Sequence, residues 1–455
     1  MKSQTKVNLD LTHGSVTGKL IAFTMPILAS NVLQHLYNAA DKAVVGRFAV
    51  NGDLALAATG ATGSAITLLL NLFVGLALGA NVVCANLRGA SAFKELRKAM
   101  HTSIFLAALT GVCATILGIC VAEPFLIAMS CPADVLGLAT LYMRIYFVGV
   151  PFSLLYNFGA AILRAHGDTK RPMNILAISG LANVILNLIF VIFFGMDVDG
   201  VAWATVISQI ISAIMVLRIL FHPDGGYDLN IKELKLHKQA VSSVLRVGLP
   251  CGFNGMVFSI SNVIITASLN SLGAVAIGGN AATSGIAGLV YQVLAAFYTG
   301  CISFAGQCYG AGQYKRIDKL LLNSILLSAG IIAILSAVIT LSPQWLLGLF
   351  TSNADYIHSA TTQTLIMCWG YVLYGISESF LGCLRGMQRS GTPTLINALT
   401  ICLPRLIWIF AFFPLCKEVW FLFLCYPISY VFSTTAQGLY YLKVRRELNQ
   451  KIAAR

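Results

Sequence analysis

The chain is poor in charge. Lys, Arg, Asp and Glu make up 10% of its 455 residues, against 57% hydrophobic residues. So few charges cannot cover the surface of a soluble protein of this length. It also lacks the groupings that carry metal or covalent chemistry. Its 12 cysteines are scattered through apolar stretches, with no CxxC pair and no Cys/His cluster. Zinc or disulfide scaffolding is thereby disfavoured, and most cysteines read as small buried hydrophobes. Cys131 and Cys416 both fall near the outer face and are a candidate pair, although sequence alone does not assign pairings. No cleavable leader is expected, because the first apolar run exceeds signal length and lacks a small-residue cleavage site. No cluster of His, Asp or Cys marks a membrane-embedded enzyme, so no catalytic activity, cofactor or resident metal is expected.

What is present is a series of long apolar runs. A span needs roughly 20 such residues. Twelve runs qualify: 20–45, 54–86, 100–122, 135–162, 173–195, 198–221, 241–270, 275–306, 320–342, 358–384, 394–415 and 417–442. The reading is an all-α membrane protein with twelve transmembrane helices. A net charge of +13 raises the prospect of a nucleic-acid partner, but its distribution argues against that. With the N-terminus inside, 25 of the 30 cations fall on the inner side, while acids divide almost evenly. A bias in Lys and Arg alone is the signature of a cytoplasmic membrane face. Both termini are therefore expected in the cytoplasm of a multi-pass cell-membrane protein that acts as a monomer.

The chain also repeats itself. Arg164 to Pro172 recurs as Arg385 to Pro393, and Gly89 and Gly149 recur as Gly310 and Gly370, all at an offset of 221. Pro26 and Pro250, early in the first and seventh runs, pair at 224. The expected organisation is an N-terminal six-helix half (1–222), a cytoplasmic linker (223–240), a C-terminal six-helix half (241–442) and a tail (443–455). The linker is expected to carry a short amphipathic helix, with Ile231, Leu234 and Leu236 opposite Lys232, Lys235 and Lys238. Parallel pseudo-symmetric repeats of this kind are a transporter architecture with a cavity between halves.

Ionisable groups inside such runs are costly and are functional candidates by default. Asp41 is 22 residues past Lys19, about 33 Å along a helix. It is read as a protonatable or cation-binding carboxylate, the alternative being an interfacial acid neutralised by Lys42 or Arg47. Asn183 and Asn187 share one helix face at i, i+4 spacing. With Thr205 they fall near the level of Asp41; the alternative for the amides is interhelical packing. Glu378 lies about 10 Å above Arg385, with a local salt bridge to Arg385 or Arg389 as its alternative. Its repeat-mate is Asn157, and Asn262 is the mate of Asp41. Arg144 and Arg405 are read as snorkelling cations, and His35 and His166 as structural. Pro26 and Pro250 each free a backbone carbonyl and permit a bend.

Pro26 with Asp41-Lys-Ala-Val-Val-Gly-Arg47, the segment Ala161 to Pro172, Asn183-Val-Ile-Leu-Asn187 and Leu384-Arg-Gly386 resemble the multidrug and toxic compound extrusion (MATE) family, in its bacterial DinF- and MepA-like branch. The resemblance runs over essentially the whole chain. It implies a cation-coupled antiporter, driven by H⁺ or Na⁺, that expels organic and often cationic drugs. It also implies that Asp41 is the coupling carboxylate, that Pro26 serves helix bending, and that Asn157, Asn183, Asn187 and Thr205 surround the acid. Many relatives have Asp where this chain has Asn187, and other branches carry Glu in the seventh span where none is found here. A solitary carboxylate among amides suits one proton better than a caged metal ion. A flippase for lipid-linked oligosaccharides is the alternative within transporters. It would need a large basic cavity, whereas the cations here sit in loops.

Overall fold

Lipid offers the backbone no hydrogen bonds, so a spanning segment must satisfy its own N–H and C=O groups. Runs this apolar therefore fold as helices. The computed structural model describes residues 9–49, 52–129, 131–222, 227, 229–348 and 351–453. Among these there is no strand, and twelve helices are long and apolar enough to cross a membrane. They are α1 Val16–Phe48, α2 Gly52–Gly89, α3 Phe93–Ala128 and α4 Ala133–Ala165. Next come α5 Lys170–Phe193, α6 Val198–Phe221, α7 Lys238–Asn270 and α8 Ala274–Gly310. The series ends with α9 Tyr314–Leu341, α10 Ala354–Gly386, α11 Gly391–Leu415 and α12 Val419–Gln450. The cations Lys2, Lys6 and Arg455 lie outside the described residues, as do 223–226 and 228 of the linker.

The repeat extends to backbone detail. Helix starts Phe93 and Tyr314, Ala133 and Ala354, Lys170 and Gly391, and Val198 and Val419 are each 221 residues apart. So are the left-handed turn residues: Ser91 (φ 54°) with Gly312 (φ 71°), and Gly167 (φ 90°) with Gln388 (φ 60°). Gly149 admits Gln209 from α6, and its mate Gly370 admits Tyr430 from α12, again at the same offset.

Packing divides the chain into two compact units, and not at the linker. One unit holds Leu9 and Asp10 with Ala29–Met256; the other holds Leu11–Leu28 and the chain from Val257. The expected halves thus exchange the beginnings of α1 and α7. Glycine explains why. A Cβ on Gly75 of α2 would stand 2.2 Å from the Gly252 nitrogen of α7, and one on Gly79 would stand 2.4 Å from the Val244 carbonyl oxygen. Two backbones this close form a small-residue helix interface, and Asn71 Nδ2 adds a 3.1 Å bond to the Gly255 carbonyl. In the second unit Gly300, the mate of Gly79, takes Thr24 of α1. There Arg316 donates to the carbonyls of Leu11, His13 and Gly14 at 2.8–2.9 Å.

The linker departs from expectation. Before α7 begins at Lys238, its only helix among the described residues is one 3₁₀ turn, Ile231–Glu233, capped by the Asn230 side chain. Tyr227 and Leu229 are buried in the first unit's core. His101 Nε2 accepts from the Asn230 N–H at 3.0 Å, and Arg97 pairs with Glu233 at 2.9 Å. These local anchors favour an extended, docked chain over a free amphipathic helix. All twelve cysteines are free, including Cys131 and Cys416.

Candidate functional site

In the first unit, α1, α5 and α6 bring four polar side chains together. Asn187 Nδ2 donates to Asp41 Oδ1 at 2.5 Å. The same amide reaches Asn183 Oδ1 at 3.5 Å, and Asn183 Nδ2 reaches Thr205 Oγ1 at 3.5 Å. Thr205 in turn donates to the Val201 carbonyl at 3.0 Å. The i, i+4 spacing puts both amides on one face of α5, and Asn187 lies two residues before a π-helical turn at Ile189–Phe193. Such turns are frequent at functional sites. Asn187 is fully buried, yet its Oδ1 has no hydrogen-bond partner. The phenols of Tyr142 and Tyr146 on α4 lie within electrostatic reach of Asp41. The cluster can therefore offer a donor to a carboxylate and, through the free Oδ1, an acceptor to a protonated carboxyl. Among the described residues no group of three or more His, Cys, Asp or Glu could hold a metal ion.

The other candidates lie elsewhere. Asn157 is bonded to the Ser153 carbonyl of its own helix at 2.8 Å. Pro26 and Pro250 sit inside the continuous helices α1 and α7. Glu378 is buried beside Tyr374, with Tyr291 and Arg385 in electrostatic reach. Arg389 pairs instead with Glu447 at 3.2 Å, and Arg385 donates to Tyr298 and Thr394. Arg144, read as snorkelling, is half-exposed and pairs with Glu123 at 3.2 Å.

Arg405 overturns the same reading. It is 0% exposed. Its Nε donates to Ser429 at 3.1 Å and its Nη1 to Asn262 at 3.4 Å, while Nη2 has no partner. Its guanidinium carbon stands 5.2, 4.4 and 5.2 Å from the ring centres of Phe258, Tyr426 and Tyr430. Stacking on three rings holds the cation in the interior without a carboxylate. The 221 offset could have located this cage: it carries Thr205 to Tyr426, Ser208 to Ser429 and Gln209 to Tyr430. Asn183 falls on Pro404, next to Arg405.

Outside the spans, the turn after α4 is titratable. His166 donates from Nδ1 to the Ile162 carbonyl at 2.8 Å and packs edge-on against Tyr227. Burial pushes its imidazole down to about 4, with the Ile162 bond opposing. Burial likewise raises Asp168, opposed by the Arg171 N–H and guanidinium, and raises Tyr227 to about 12.

Comparison with known proteins agrees with this architecture. The MatE family model matches residues 26–189 and 250–409, one stretch in each repeat. The probable multidrug resistance protein YoeA of Bacillus subtilis is 27% identical over 395 residues, 85% of either chain. The multidrug export protein MepA of Staphylococcus aureus is 22% identical over 406 residues, 88% of this chain and 89% of that one. A solved outward-facing multidrug resistance MATE transporter of the MOP superfamily superposes with a TM-score of 0.89 over 99% of this chain and all of that one, at 21% identity. With twelve membrane helices, a twofold repeat and a family match in both halves, the chain belongs to the MatE family, whose members are transporters and not enzymes.

Proposed function

We propose that the chain is a cation-coupled antiporter that exports organic, often cationic, drugs and toxic compounds by alternating access. It works as a monomer in the cell membrane, with both termini in the cytoplasm. Asp41 carries the coupling cation, H⁺ or Na⁺, and Asn183, Asn187 and Thr205 form its hydrogen-bond chain. The observation that carries this reading is the Asn187 amide, which donates to Asp41 while its own buried Oδ1 stays unpaired. A charged Asp41 accepts from Nδ2. A protonated Asp41 becomes a donor, and rotation of the Asn187 amide then presents Oδ1 as its acceptor. The two protonation states thus favour two arrangements of α5 against α1. Such a difference in affinity between states is what coupling requires.

A proton fits this cluster better than a metal ion, since one carboxylate with neutral amides supplies little charge for a desolvated Na⁺. The names of YoeA and MepA support a drug substrate. Pro26 and Pro250 each remove an N–H, from the Ala22 and Arg246 carbonyls respectively, so α1 and α7 can bend there at low cost. The test is ethidium transport by the chain in proteoliposomes under separate imposed H⁺ and Na⁺ gradients. Wild type should transport under one gradient, and Asp41→Asn should be slower by about 100-fold. Undiminished gradient-driven transport by Asp41→Asn would sink the assignment.

A further inference from the structure

The beginning of α7 borders a groove lined apart from the Asp41 cluster. Lys238, Ser242, Arg246 and Pro250 follow one another at four-residue spacing from the first residue of the helix, which lines them up on one face. With Leu249 and Phe253 they border a cavity of about 970 Å³. The opposite face is locked, through Gly248 and Gly252, onto the backbone of α2. The segment is therefore fixed on one side and open on the other. Lys238, Ser242 and Arg246 are exposed, and neither cation joins a salt bridge among the described residues.

Two cations about 12 Å apart along a membrane helix, a hydroxyl between them and an apolar floor beyond them have the chemistry of a headgroup-and-chain site. The repeat supplies the control. At the 224-residue offset fixed by Pro26 and Pro250, the ladder Lys238, Ser242, Arg246 corresponds to Gly14, Gly18 and Ala22 of the α1 region. The architecture itself therefore does not call for cations here.

We propose that this groove binds an anionic phospholipid of the adjacent leaflet. Its phosphate is held by Lys238, Ser242 and Arg246, and an acyl chain lies along Leu249 and Phe253. Charge complementarity selects the occupant, since cations at the end of a membrane helix attract anionic headgroups. A zwitterionic lipid brings its own cation to the same place and gains less. The ladder ends on Pro250, so an occupied groove steadies the part of α7 below the point where it can bend.

The test is native mass spectrometry of the purified full chain with equal amounts of phosphatidylglycerol and phosphatidylcholine. The wild-type chain should retain phosphatidylglycerol in preference to phosphatidylcholine. Lys238→Gln with Arg246→Gln should weaken phosphatidylglycerol binding by about tenfold and leave phosphatidylcholine unchanged. Lys94→Gln, which removes an exposed cation from the start of α3, should change neither. Lys238→Arg with Arg246→Lys keeps the charge and should keep the lipid, which separates charge from misfolding. Equal retention of the two lipids by wild type would overturn the proposal. So would full retention by the double Gln variant, or an equal loss in Lys94→Gln. Because lipid binding is read without transport, the site and the export reading can fail separately.

Discussion

The two repeats carry opposite charges in related polar surroundings. In the first unit Asp41 meets the amides of α5; in the second, Asn262, 221 residues further along the chain, meets Arg405 of α11. The acid is half-buried, held by one amide, with an unpaired acceptor beside it. The guanidinium is fully buried and boxed by three rings. A carboxylate can change its charge by taking a proton, whereas a guanidinium cannot. The same frame thus holds a titratable acid in the first cluster and a cation that keeps its charge in the second. The first is expected to matter for coupling and the second for stability.

Exchanging the consequences of the two charges is the strongest way to break that comparison. Arg405→Ala empties a packed interior and leaves Ser429 and Asn262 without their donor. It should destabilise the protein by about 3 kcal/mol, read as a lower unfolding midpoint in detergent. Asp41→Asn should move that midpoint by less than about 1 kcal/mol, since the Asn187 amide keeps an acceptor. Equal losses in the two variants would remove the distinction.

A second difference between the halves is acid lability. His166 in the turn after α4 has Met387 as its repeat-mate, and both are 3% exposed. The buried imidazole is held at about 4, against an unfolded value of 6.5. Its stabilising contribution is present above pH 6.5 and is lost as pH falls from there towards 4. By linkage the loss is about 2 kcal/mol at pH 5. Asp168, shifted up by burial, works in the opposite direction. Unfolding scans at pH 7.5 and 5 should show the loss in wild type and a smaller one in His166→Met. The same loss in both would assign the lability elsewhere.

Asn187→Ala removes the amide from Asp41 but leaves the carboxylate. Gradient-driven transport should fall by about tenfold, less than for Asp41→Asn. An Asn187→Ala chain that transports normally would leave the amide with packing alone. The smallest effect is expected from Asn262→Asp, which places a carboxylate 3.4 Å from Arg405 Nη1. The new pair should change stability by about 1 kcal/mol or less, because desolvation offsets the attraction. In an Asp41→Asn background it should restore no coupling. Restored transport would show that either half can host the switch.

Much of this is legible in the sequence, for identifiable reasons. Hydropathy sets the twelve helices because lipid leaves the backbone no other choice. The i, i+4 spacing of Asn183 and Asn187 places them on one face, and counting residues from the inner cations puts them at the level of Asp41. The exchange of α1 and α7 between units is not visible, because Gly75, Gly79, Gly248 and Gly252 reveal a contact only once two helices are brought together. Arg405 reads wrongly because a lone arginine in an apolar run does not by itself show whether rings or water will receive it; only the 221 offset, which sets Tyr426 and Tyr430 against Thr205 and Gln209, points to the rings. Tyr227 is hidden in a polar linker, where one buried ring has no periodicity to betray it.

If Asp41 carries the coupling cation as proposed and that cation is H⁺, it gives up a proton when substrate binds. That release is tested most directly by adding ethidium to the purified chain in weakly buffered detergent and following a pH indicator. Wild type should release about one proton per ethidium bound near the midpoint of its binding pH range, and Asp41→Asn should bind ethidium and release none. Release from Asp41→Asn equal to wild type would contradict the carboxylate as carrier. Binding to wild type without any release would contradict the proton.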